Sequence, residues 1–87
     1  MSTIKFQVIT PDKIFLEEQA QYVVVPGYAG LLGILPGHMK YLAQLSPGVV
    51  RYVLEDKKEH NLTIGEGVVL ISPTAIKLYT ISVRRAE

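Results

Sequence analysis

Few side chains in this sequence are equipped for chemistry. There are two histidines, His38 and His60, the internal carboxylates Asp12, Glu17, Glu18, Glu55, Asp56, Glu59 and Glu66, and no cysteine. General acid–base catalysis needs two carboxylates fixed about one concave site. These carboxylates fall mainly in turn-like stretches, where solvated charges are the simpler reading. Nucleophilic catalysis fares no better. No GxSxG elbow is present, and Ser46 before Pro47 and Ser72 before Pro73 have the composition of turns. A serine triad or a zinc site would have to recruit His38 or His60, whose separation matches none of the common metal-ligand spacings. Gly27, Gly30 and Gly33 hint at a phosphate-binding loop, but both the GxGxxG order and the GxxxxGK[ST] ending are missing, so they read as turn glycines. Asn61-Leu62-Thr63 matches a glycosylation sequon with no secretory signal to give it meaning. Neither a catalytic centre nor a cofactor or metal site is expected.

The elements that would have to position these residues are almost entirely extended. Ile4, Phe6 and Val8 alternate with Thr3, Lys5 and Gln7, the period of a half-buried strand. Thr10 to Lys13 reads as a turn. Ile14 to Glu18 and Gln19 to Val25 read as extended, and Pro26-Gly27 breaks the run. From Gly27 to Gly48 dense glycine and proline predict tight turns joined by short strands, Leu31 to Ile34 and Leu42 to Leu45. Val49 to Leu54, a charged tip Glu55 to Glu59, and His60 to Ile64 form a hairpin in which His60, Leu62 and Ile64 share a face, placing His60 at the sheet rim. Val68 to Ile71 is apolar throughout and reads as covered on both faces. Ala75 to Val83 reads as the last strand, followed by the helix-tolerant Arg84-Arg85-Ala86-Glu87. Short strands at this spacing predict an all-β sandwich or barrel. His38 follows Pro36-Gly37 beside Met39, Lys40 and Tyr41, and both a plain turn histidine and an interface histidine fit.

Composition narrows the partners. Eighty-seven residues suit one domain, which buries only about 60–65% of its unfolded surface. The chain is 48% hydrophobic with a formal net charge of +1. Nucleic-acid binders carry a basic excess, whereas here the basic pairs are Lys57-Lys58, ringed by acids, and Arg84-Arg85. No apolar run approaches the length of a bilayer span and no signal-peptide layout opens the chain, so a soluble chain is expected. Leu31, Leu32, Leu35, Met39 and Leu42 crowd one short stretch, a concentration expected where another protein covers the surface.

Three segments together resemble the epsilon subunits of F-type ATP synthases, the delta subunits of mitochondria. They are Val23-Val24-Val25-Pro26-Gly27, Gly30-Leu31-Leu32-Gly33-Ile34-Leu35-Pro36-Gly37-His38 and Leu45-Ser46-Pro47-Gly48-Val49-Val50-Arg51. Phe6 to Lys13 is similar to the family's opening strand and turn, and Gly65 to Val69 to its late strand entry. The resemblance implies a flattened ten-stranded β-sandwich of two five-stranded sheets over residues 1–84, with 85–87 beginning a helical region that is truncated or absent. It implies a non-catalytic part of the central stalk, docked on the gamma subunit and the c-ring, without cofactor or nucleic acid. Such a domain lies on the cytoplasmic face of a bacterial inner membrane, or its equivalent, through the complex alone. Without the family's C-terminal helical hairpin, neither hairpin-mediated inhibition nor ATP binding is expected.

The family's ring-facing region maps onto Gly30, Leu31, Gly33, Pro36, Gly37, His38 and Met39. Many members are acidic where this chain has Leu31 and Ala29, which replaces charged contacts by apolar ones. For the gamma subunit the late strands are expected to contribute Val69, Ile71, Leu78 and Tyr79. The alternative from another class is a free-standing β-domain that binds a small polar ligand or carbohydrate between its turns.

Overall fold

The computed structural model describes residues 2–37 and 40–85, and these carry nine β-strands. They are β1 (Ile4–Ile9), β2 (Ile14–Gly27), β3 (Gly30–Ile34), β4 (Tyr41–Leu45), β5 (Gly48–Leu54), β6 (Glu59–Ile64), β7 (Gly67–Ile71), β8 (Ala75–Thr80) and β9 (Val83–Arg85). The alternation read in β1 holds: Ile4, Phe6 and Val8 are buried and Lys5 points out.

The strands form one mixed sheet in the order β1-β8-β7-β4-β2-β5-β6-β9, with β3 on β2 and a further pairing of β1 with β2. This corrects the expectation of two separate five-stranded sheets. The cause is β2. Its 14 residues would reach about 46 Å if straight, against a longest molecular extent of 31 Å, so it has to bend. Its register with β5 shifts between Ala20 and Tyr22. The first half of β2 pairs with β1 and the second half with β3 and β5. One strand therefore serves both halves of a sheet that closes over a single core. Ile4, Phe6 and Val8 from β1, Ile76 and Leu78 from β8, and Val69 and Ile71 from β7 meet Val50 and Tyr52 from β5 and Leu62 and Ile64 from β6. The sheet is mixed because β1 runs parallel to β8.

Two further expectations change. Val69 and Ile71 face the core, but Val68 and Leu70 are exposed, so β7 is covered on one face only. The segment read as one last strand is two: β8 pairs with β7 and β1, then the chain turns at Ile81-Ser82 and β9 pairs with β6. Arg84 and Arg85, read as helix-tolerant, lie in β9.

That crossing is pinned by Thr80, 4% exposed and the one buried polar residue among those described. Its Oγ1 lies 3.2, 3.0 and 3.0 Å from the carbonyl oxygens of Gly65, Glu66 and Ser82. The hydroxyl donates to one of these at a time. The Glu66 and Ser82 carbonyls also accept the N–H groups of Ile81 and Gly65. Replacing the hydroxyl by a methyl of similar size keeps the packing and removes the donor. Thr80→Val is expected to cost about 1–2 kcal/mol in urea denaturation; an unchanged midpoint would show that the bond is idle.

Candidate docking surface

Two exposed apolar regions stand out. The first is the corner built from the β2–β3 turn, β3 and the segment leading to β4. Gly27 and Gly30 close the turn around Tyr28 and Ala29. A Cβ on Gly27 would sit 2.6 Å from the Gly30 carbonyl oxygen, and Gly30 has φ +137°, so the tight corner requires both glycines. Gly37, at φ +85°, makes the second sharp bend. The corner holds Tyr28 and Leu31 outward at 74% and 75% exposure, with Leu35, Tyr41 and Leu42 also exposed. Backbone bonds from Tyr28 N–H to Gln44 and from Ser46 N–H to Pro26 tie the corner to β4.

The second region is the outer face of β4, β7, β8 and β1. Cross-strand register places Leu42 beside Leu70, Val68 beside Tyr79, and Tyr79 beside Ile9. A shallow groove runs along it, walled by Pro11, Leu42, Val68, Tyr79 and Ile81.

The ring-facing set from the sequence falls together: Gly30, Leu31, Gly33, Pro36 and Gly37 lie along one corner, while His38 and Met39 lie outside the described residues. The gamma-facing set divides. Val69, Ile71 and Leu78 are core residues, at 0–3% exposure, and no partner reaches them while the core is closed; Tyr79 is the exposed member. Val68 and Leu70, in the same late strand but not among the four residues singled out, are the outward neighbours. The apolar run itself does not mark them; once Val69 is seen to be buried, the period of a strand turns Val68 and Leu70 out.

The titratable residues are used to hold structure. Lys58 N–H donates to Asp56 Oδ1 at 2.8 Å and is the main cause holding that carboxyl below its ordinary range. This bond shapes the tip where Lys57 adopts φ 66°. His60 stacks on Tyr52 with centroids 5.3 Å apart, and its Nε2 approaches Asp56 Oδ2 at 3.5 Å without an aligned hydrogen bond. Arg51 and Glu59 pair at 3.6 Å across the same hairpin. Arg85 lies 5.5 Å over the Phe15 ring. Burial pushes the Tyr52 phenol up, with the Arg85 guanidinium acting in the opposite direction. Among the described residues no three of His, Cys, Asp and Glu gather to hold a metal ion. No helix among the described residues is long and apolar enough to cross a membrane.

A folded-over sheet, glycine-pinned corners and two exposed apolar regions define an all-β domain with apolar side chains on its surface. Residues 3–87 match the family described as ATP synthase, Delta/Epsilon chain, beta-sandwich domain, and the chain belongs to that family. It is 33% identical over 86 residues to the ATP synthase epsilon chain of Bordetella parapertussis, covering 99% of this chain and 61% of that one. It is also 33% identical over 84 residues to that of Desulfosudis oleivorans, covering 97% and 63%. The chain thus spans less than two thirds of the length of these relatives. Its fold is similar to a chain of the Euglena gracilis mitochondrial ATP synthase, with a TM-score of 0.91 at 21% identity over 98% of this chain and 54% of that one. A chain of the Tetrahymena thermophila mitochondrial ATP synthase gives a TM-score of 0.75 at 13% identity over 94% and 66%.

Proposed function

We propose that this chain is a non-catalytic stalk domain of a rotary ATP synthase, docking on the gamma subunit and the c-ring so that ion-driven rotation of the ring is coupled to ATP synthesis. The observation that carries this reading is the family match across residues 3–87. The Tetrahymena structure of similar fold is of a central stalk and c-ring, and the Euglena one contains F1 and c-ring. The apolar corner from Gly30 to Gly37, with His38 and Met39, meets the ring. The outer face carrying Val68, Leu70 and Tyr79 meets gamma. The domain is peripheral on the cytoplasmic face of the bacterial inner membrane, held there by the complex.

Co-purification with the gamma subunit and binding to detergent-solubilised c-ring test the reading. Leu31 serves as an apolar contact where many relatives place an acid, so Leu31→Glu is expected to weaken ring binding about tenfold or more. Unchanged ring affinity would remove Leu31 from the interface, and a chain that ignores both partners would overturn the function.

A further inference from the structure

β3 is an edge strand. Among the described residues β2 is the one strand hydrogen-bonded to it. Which of its backbone groups remain free follows from Pro26. Proline has no N–H, and the Pro26 carbonyl accepts from Ser46 N–H at 2.9 Å, on the side away from β3. Pro26 and its partner Leu31 are therefore a non-hydrogen-bonded pair of the antiparallel ladder, as are Val24 and Gly33 two residues along. The N–H and C=O groups of Leu31 and Gly33 consequently point away from β2, into solvent.

Protected edges usually carry a charge, a proline or a bulge. The five residues of β3, Gly-Leu-Leu-Gly-Ile, contain none of these. Leu31 and Gly33 share the outward face, the first with a fully presented side chain and the second with open space above its Cα.

We infer that β3 pairs with β3 of a second copy of this chain, antiparallel about a twofold axis at Leu32. In that register Leu31 of each copy opposes Gly33 of the other. Both are hydrogen-bonding positions, so the two pairs exchange all the N–H and C=O groups that β3 leaves free. Each Leu31 side chain then lies over the bare Cα of the opposing Gly33. The edge is thus its own complement in both backbone and side chains, and no charge opposes the approach. The dimer is a property of the free chain, and it covers the corner assigned above to the ring; it does not rest on that assignment.

Sedimentation equilibrium over a concentration series, with circular dichroism to confirm folding, tests the inference. The expected result is a monomer–dimer equilibrium. Gly33→Pro removes an outward donor while leaving the β2–β3 bonds in place, and Leu31→Lys sets like charges at the edge. Each is expected to raise the dimer dissociation constant about tenfold or more. A chain that stays monomeric at millimolar concentration, or a dimer indifferent to both folded variants, would overturn the inference. Should either variant fail to fold, backbone amide exchange in the wild-type chain decides: Leu31 and Gly33 amides slow with concentration if the pairing exists, and stay fast if it does not.

Discussion

Gly67→Ala is expected to lower the melting temperature by about 12 °C or more, following a stability loss of about 3 kcal/mol. Gly67 opens β7 between Leu45 of β4 and Thr80 of β8. A Cβ built there falls on the Tyr79 carbonyl oxygen, with the Thr80 Cα at 2.9 Å and the Tyr79 carbonyl carbon at 3.0 Å. All three obstacles are backbone, so no rotamer change relieves them. The β7–β8 ladder has to open at the point where Thr80 anchors the crossing to β9. Thermal melts followed by circular dichroism check the result, and a shift of only a few degrees would mean the two strands separate cheaply.

Phe6→Ala is expected to cost about 3–5 kcal/mol. Phe6 is fully buried, and its ring meets Tyr52 at 5.2 Å and 52°. That contact joins the β1 half of the core to the β5 half. A domain of this length holds on the order of 4–13 kcal/mol in total, so the variant sits near the edge of folding. Urea denaturation measures the loss, with Phe6→Leu as the milder member expected to lose less than half as much. A loss below about 1 kcal/mol for the alanine would show that the two halves collapse onto the gap.

Much of the fold was legible because the period of a strand is so short. In β1, Ile4, Phe6 and Val8 are inward and Lys5 outward, as alternation requires. The hairpin from Gly48 to Ile64 also follows its pattern, with Leu62 and Ile64 in the core and His60 half-buried at the rim. The number of sheets was not legible. Ile14 to Gly27 shows no local mark of belonging to two halves at once; that depends on its length relative to the molecule and on partners distant in sequence. Val68-Val69-Leu70-Ile71 misled for a related reason. An unbroken apolar run carries no alternation, and the residues that face outward can be told only once the core is closed. The corner at Gly30 to Gly37 was read through its glycines and prolines, whose conformational demands are local. Which residues of β7 and β8 face outward depends on the strands' orientation, which is not.

The shared strand has a mechanical consequence. Because β2 runs unbroken through both halves, a load applied at the Gly27 corner is delivered along peptide bonds to the region of Ile14 instead of across side-chain contacts that can slip. To shear one half past the other, the hydrogen bonds flanking this backbone would have to fail together rather than one after another. The domain should therefore yield little under a sideways pull at that corner, and give way more readily at β9, whose one paired strand among the described residues is β6.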